Sequence, residues 1–127
     1  MADNHALHNV LTPMLKRLNA LSNDIEASAV MSRDGHSLAS VLGEAVDPDR
    51  LGAMCASMLS LAERTSGELK RGKLKQVLIE GEQGYVLVVH VGLKAVLAIV
   101  SRPSANLGMV FVEARKIAKQ IAESKIL

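Results

Sequence analysis

The sequence predicts an α/β sandwich: one five-stranded, mostly antiparallel sheet with helices on both of its faces. Two segments, near the beginning and the end of the chain, repeat apolar residues at helical spacing. Short runs rich in valine, leucine and isoleucine are separated by glycine-containing segments of hairpin length. A third helical segment lies between the two groups of predicted strands. The predicted order is therefore α-β-β-α-β-β-β-α, in one domain spanning residues 1–127.

Composition limits the classes of function. The 127-residue chain is 49% hydrophobic and 22% charged, which excludes disorder. A net charge of +2 is too small to predict a polyanionic partner, and one Phe, one Tyr and no Trp argue against base stacking and nucleic-acid binding. Cys55 is the only cysteine, so no internal disulfide forms. With no signal-peptide pattern and no membrane-spanning apolar run, we expect a cytoplasmic protein without membrane insertion.

The first predicted helix carries an apolar stripe near the beginning of the chain. Its members are Leu7, Val10, Leu11, Met14, Leu15, Leu18 and Leu21. Pro13 lies inside this pattern and leaves two alternatives. Either the helix begins there, with Thr12 as N-cap, or a longer helix kinks at Pro13.

A hairpin and a second helix follow. Asp34-Gly35 predicts a tight turn between strands near Ala27–Met31 and His36–Ser40. Asp47 is well placed to cap a helix whose first residue is Pro48. This helix is expected to continue to about Glu68.

The last part of the chain predicts three strands and a helix. The strands are Lys73–Glu80, Tyr85–Val91 and Ala95–Val100. Because YVLVVHV is apolar at consecutive positions, we expect it to be a central strand buried on both faces. Ser104 or a neighbour should begin the last helix. Its apolar face is Leu107, Val110, Phe111, Ala114, Ile117, Ala118 and Ile121.

No motif predicts catalysis. GELKRGK, Gly67 to Lys73, resembles a phosphate-binding loop, but Leu74 replaces the Ser or Thr that ligates magnesium. The segment also follows a helix instead of a strand, so it is read as a helix end and a turn. The four histidines lack the companions of a metal site. We therefore predict no catalytic residue, no metal and no cofactor, and we expect that the protein is not an enzyme.

The helix that contains LGAMCASMLSLA, residues Leu51 to Ala62, has no charge over twelve residues. One face is bulky and is expected to pack on the sheet: Leu51, Met54, Cys55, Met58, Leu59 and Ala62. The remaining residues are almost all small: Gly52, Ala53, Ala56, Ser57, Ser60 and Leu61. Such a face can be solvent-exposed, but the solvated side of the last helix carries charges. The pattern therefore favours a second buried face, covered by a second copy of the chain.

Several segments together carry a resemblance to a known family. They are the hairpin AVMSRDGHSLAS, the Ala/Met/Ser-rich helix, the strands VLIEG, YVLVVHV and AVLAIV, and SRPSANLGMVFVEARK at the last helix. The chain resembles, over essentially its whole length, the Roadblock type of dynein light chain, which includes bacterial and archaeal regulators of Ras-like GTPases. The resemblance implies a roadblock/longin/profilin-like sandwich that dimerises through Asp49–Glu68 and Leu74–Glu80.

The resemblance also implies a function. Family members bind small GTPases through the dimer, or serve as adaptor subunits, and are not enzymes. We therefore expect a homodimeric, non-catalytic regulator or scaffold for a Ras-like small GTPase. An adaptor subunit of a larger motor or signalling complex, or a small-molecule-sensing domain, is the alternative. The predicted dimer interface is Gly52, Ala53, Ala56, Ser57, Ser60, Val77 and Ile79.

Overall fold

Three helices and five strands follow one another in the predicted order, which confirms the predicted fold class. The computed structural model describes residues 4–43 and 46–127. The elements are α1 (Asn4–Ala20), β1 (Ile25–Ser32), β2 (Ser37–Val41), α2 (Pro48–Glu68), β3 (Gln76–Gly81), β4 (Gly84–Val91), β5 (Ala95–Ser101) and α3 (Leu107–Glu123). Strand ends differ from the predicted ones by up to three residues, and Asn106 instead of Ser104 caps α3.

The sheet has the strand order β2-β1-β5-β4-β3, and every neighbouring pair is antiparallel. β5 is therefore the middle strand, whereas Tyr85–Val91 is, as predicted, an interior strand buried on both faces but not the middle one. That strand, β4, lies between β5 and the edge strand β3. Its apolar run is still explained by burial, because Leu87, Val88 and Val89 are each at most 4% exposed.

The two faces of the sheet are covered unequally. α1 and α3 pack on one face and enclose a large aliphatic core with members from both helices and from four strands, β1, β2, β4 and β5. α2 alone packs on the other face. Its smaller core contains Ala29, Met31, Leu51, Cys55, Leu59, Val88, Val96 and Ala98. One helix cannot cover a five-stranded sheet, so part of this second face stays open.

Helix α1 runs through Pro13 without ending, so the alternative in which the helix begins at Pro13 is wrong. Proline has no N–H, which leaves the carbonyl of Asn9 without its helical partner, but Asn9 is exposed and water can bind there. The predicted stripe is correct at Leu7, Leu11, Leu15 and Leu18, all buried. It is wrong at Val10 and Leu21, which are 46% and 52% exposed.

The predicted Asp34-Gly35 turn is confirmed. Gly35 has φ +96°, a conformation that favours glycine, and its N–H donates to the carbonyl of Ser32 at 3.0 Å. The hydroxyl of Ser32 donates to the Asp34 carboxylate. This hydrogen bond is the main reason that the pKa of Asp34 is lowered from its ordinary value.

Both ends of α2 are capped, the first by a side chain and the second by backbone hydrogen bonds. The Asp47 side chain accepts from the N–H of Asp49 at 3.0 Å, as predicted. At the other end the N–H of Arg71 donates to the carbonyl of Ser66, and the N–H of Lys70 donates to that of Gly67. This pair of bonds is a Schellman motif, in which Lys70 takes the left-handed position at φ 56° that glycine usually occupies.

The close approach of two glycines sets the position of α2 on the sheet. A Cβ atom added at Gly52 would lie 2.0 Å from the carbonyl oxygen of Gly35. The first turn of α2 therefore rests directly on the backbone of the β1–β2 turn. A glycine inside a helix needs such a reason, because it costs about 1 kcal/mol relative to alanine.

We expect Gly52→Ala to destabilise the protein by at least about 2 kcal/mol, because the new methyl group overlaps backbone that cannot rotate away. Urea denaturation measures the change. Gly67→Ala is the matched control: it lies in the same helix with nothing within 4 Å of its Cβ position, and we expect a gain of about 0.5–1 kcal/mol. A Gly52→Ala variant as stable as the wild type would contradict this packing.

We expect Lys70→Gly to stabilise the protein by about 0.5–1 kcal/mol, because glycine adopts the left-handed conformation without the steric cost of a Cβ atom. Thermal and urea unfolding measure the difference. Lys116→Gly, at an exposed position inside α3, removes the same side chain and should lower the stability by about 1 kcal/mol. If both variants lose stability, the Lys70 side chain makes a contact that stabilises the protein by more than its left-handed conformation costs.

Candidate interaction face

The outward side of α2 is more apolar than the sequence predicts. Its exposed residues include Ala53, Ser57 and Ser60, as expected for the small-residue face. Met54 and Leu61 lie beside them and are 55% and 66% exposed. The prediction that Met54 packs on the sheet is wrong. The helix is rotated so that its small residues and two large apolar side chains point away from the core.

Gly52 explains this rotation. The sequence predicts Gly52 on the outward face, in the dimer interface, but Gly52 is buried. Its close contact is with Gly35 of the same chain and not with a second copy. Gly52 therefore turns inward together with Cys55 and Leu59. The spacing i, i+3, i+7 of these three residues was visible in the sequence, but Met54 fits the helical repeat equally well. Ala56 lies at the boundary and is half-buried.

The edge strand β3 contributes a second apolar surface on the same side of the sheet. Val77 packs at the margin of the small core, and Ile79, two residues along, is 43% exposed. Their partners on β4 are Val88 and Val86. A groove of about 300 Å³ lies beside Ile79 and Val86, where α2 does not reach. The free edge of β3 also presents unpaired backbone groups.

These surfaces together form what we call the α2–β3 face: Ala53, Met54, Ser57, Ser60, Leu61, Val77 and Ile79. A further groove of about 460 Å³ runs between α2 and the chain leading into β3, with Leu61, Leu69 and Leu74 in its walls. The face includes three of the large apolar side chains that are exposed among the described residues, Met54, Leu61 and Ile79. Exposed apolar patches on small proteins are typical of protein–protein interfaces. Six of the seven interface residues predicted from sequence lie on or at the margin of this face, and Gly52 does not.

A separate polar cleft lies at the end of the sheet, below the C-terminal half of α2. Glu63 of α2 accepts a hydrogen bond from Arg33 Nη2 at 2.6 Å through its Oε1 atom. The same oxygen lies 3.6 Å from Nε2 of His90 on β4. Arg33 and Glu63 are 47% and 36% exposed, so this ion pair contributes at most about 1 kcal/mol to stability.

Metal-ligating and thiol side chains are the first candidates for chemistry among the described residues. Within residues 4–43 and 46–127, no group of three His, Cys, Asp or Glu side chains could hold a metal ion. Cys55 is 1% exposed, and burial raises the pKa of its thiol, which keeps it protonated and unreactive at neutral pH. Over the same residues no helix has the length and hydropathy needed to cross a bilayer.

The chain matches one protein-family model and has related sequences. The model of the Roadblock/LC7 domain matches residues 14–101. The uncharacterized protein MJ1340 of Methanocaldococcus jannaschii is 36% identical over 97 residues, which cover 76% of this chain and 84% of that protein.

Solved structures share the fold. A Roadblock/LC7 domain from Streptomyces avermitilis superposes with a TM-score of 0.83 at 16% identity, covering 90% of this chain and 96% of that one. MglB with a tetrameric arrangement superposes with a TM-score of 0.82 at 20% identity, covering 93% and 89%. At these identities the likeness establishes the fold alone.

Proposed function

Because this chain belongs to the Roadblock/LC7 domain family, we propose that it is a homodimeric, non-catalytic regulator or scaffold that binds a Ras-like small GTPase and modulates its nucleotide cycle. The observation that carries the proposal is the α2–β3 face. It is apolar, uncharged and exposed, whereas α1 and α3 cover the opposite face of the sheet. An exposed apolar face of this kind supports a role in binding other proteins.

The first partner is a second copy. A twofold axis places the same patch of both copies in contact, so Met54 and Leu61 of each would be covered by the other. The small side chains of Ala53, Ser57 and Ser60 allow two α2 helices to approach closely. Two antiparallel β3 edges can then pair, which removes the exposed edge and shields Ile79. This arrangement would explain both why Leu51 to Ala62 of α2 carry no charge and why one edge of β3 is unpaired in the single chain.

The second partner is the GTPase. The dimer would join two five-stranded sheets and present two α2 helices side by side, a composite surface that a single chain does not provide. Because binding would use this composite surface, GTPase binding should depend on dimerisation. An adaptor role would use the same surface without changing turnover, so hydrolysis and exchange rates separate the two functions.

We expect the wild type to scatter light as a dimer of twice 13.6 kDa and Ser57→Glu to be monomeric. Ser57 is exposed in the single chain, so a glutamate there harms only the interface, where it would be a buried charge. Size-exclusion chromatography with light scattering measures the mass. Gln120→Glu, which adds the same charge on exposed α3, should remain a dimer. A wild-type monomer, or a dimeric Ser57→Glu, would refute the proposed interface.

We expect saturable binding to a Ras-like GTPase from the same genome, with different affinities for the GDP-bound and GTP-analogue-bound forms. Calorimetry measures binding, and phosphate release and nucleotide exchange measure the effect on the cycle. Ser57→Glu should lose binding and Gln120→Glu should keep it. Binding that leaves both rates unchanged would favour the adaptor function. No binding to any such GTPase would reject the proposal.

A further inference from the structure

The polar cleft at the end of the sheet has the size of a binding site. Its volume is about 430 Å³, within the usual range of small-ligand pockets. Three segments that are distant in sequence form it: the β1–β2 turn with Arg33, the stretch from Glu63 of α2 to Leu74, and residues 90–93 at the end of β4 and in the following turn. It contains none of the seven residues of the α2–β3 face.

The side chains that line the cleft carry a net positive charge. Its one carboxylate, Glu63, is already engaged by Arg33 and faces His90. Lys73 lines the cleft, and within residues 4–43 and 46–127 it takes part in no ion pair. With Arg33 and Glu63 cancelling each other, Lys73 gives the cleft a net charge of +1 when His90 is neutral. An anionic group is the complement of this charge.

The segment beside the cleft extends the positive charge. Residues 64–75 contain five cations and one carboxylate, a net charge of +4, whereas the whole chain has +2. The rest of the chain is therefore net negative, by −2. The cations are Arg64, Lys70, Arg71, Lys73 and Lys75. So strong a concentration in one segment favours association with an acidic partner at this place.

The loop that carries these cations is held in a defined shape. The Schellman motif fixes Lys70 in its left-handed conformation. The hydroxyl of Ser66 donates to the carbonyl of Gly72 at 2.7 Å, which ties the loop back to α2. On the opposite wall, the N–H of Arg33 donates to the carbonyl of Lys94 at 3.3 Å and joins the two turns. A fixed arrangement of charges lowers the entropy cost of binding a ligand.

Apolar side chains lie next to these charges. Leu93, in the turn between β4 and β5, is 82% exposed, and Leu74 forms part of the opposite wall. The cleft lining contains no Phe, Tyr or Trp on which a nucleic-acid base could stack. A flat anionic membrane surface would meet the carboxylate of Glu63 at this cleft. The combination fits an extended peptide with carboxylates on either side of an apolar side chain.

We propose that this cleft binds an acidic peptide segment of a protein partner. One carboxylate lies at Lys73, the apolar side chain packs between Leu74 and Leu93, and further carboxylates are attracted by the other cations of residues 64–75. The proposal can be tested separately from the proposed function, because none of the seven residues of the α2–β3 face lines the cleft, although Leu74 lines both the cleft and the groove beside that face.

The test uses the unlabelled, blocked peptide EDLEE and its neutral analogue QNLQQ, in calorimetry and in ¹⁵N-edited NMR titrations of the full chain. We expect EDLEE to shift the resonances of Lys73 and Leu93, and to bind at least about tenfold more tightly than QNLQQ at low salt. Lys73→Glu should lose about tenfold or more in affinity, and Leu93→Ser severalfold. Both positions are exposed, so both variants should fold.

Lys116→Glu on α3 is the matched control, since it makes the same charge change at an exposed position on the other face of the sheet. It should bind EDLEE like the wild type. Equal losses in Lys116→Glu and Lys73→Glu, equal affinity for QNLQQ, or no saturable binding up to about 5 mM would overturn the proposal. If the protein does not bind EDLEE but sediments with phosphatidylserine vesicles, the positive charge serves a membrane surface, and the proposal is also overturned. The light-scattering mass of Lys73→Glu should equal that of the wild type. A loss of peptide binding in this variant then cannot be attributed to loss of the dimer.

Discussion

The contact between the backbones of Gly35 and Gly52 determines which residues of α2 face the sheet and which face away from it. It brings the first turn of α2 down onto the β1–β2 turn, where no side chain could fit. With Gly52 turned inward, Cys55 and Leu59 reach the sheet, and Met54 is forced outward. The position of one pair of glycines thus decides which side of α2 is core and which is surface. The proposed dimer, and through it the proposed GTPase-binding surface, depends on this choice.

The two faces of the sheet are covered unequally because they carry different numbers of helices. α1 and α3 are seventeen residues each and lie together on one face, while α2 is a single helix of twenty-one residues on the other. A helix about 10 Å wide covers roughly two strands, which are about 4.8 Å apart. On this face Val96 and Ala98 of β5 and Val88 of β4 are buried, whereas β3 lies at the margin of the small core and its Ile79 is 43% exposed. Exposure of Ile79 follows from this geometry, whatever binds there.

The sequence predicted the order of elements because each element carries its own local signal. Asp47-Pro48 and Asp34-Gly35 mark a helix start and a turn through chemistry that acts over a few residues, and both are confirmed. Errors arose where the answer depends on residues far apart. Nothing near Met54 indicates that Gly35 contacts Gly52, and nothing near Tyr85–Val91 shows that β5 inserts between β1 and β4. The cleft at Lys73 was missed for the same reason, since three distant segments build it.

The pairing of β1 with β5 also determines when the fold can form. Residue 25 pairs with residue 101, so the centre of the sheet joins the first strand of the chain to the last. During synthesis the β1–β2 hairpin must wait, with α1 beside it and one edge of β1 unpaired, until β5 has been made. Closing so long a loop is slow, and the waiting edge can pair with other chains. The topology that centres the sheet on β5 therefore leaves one edge of β1 open to aggregation until β5 has been synthesised.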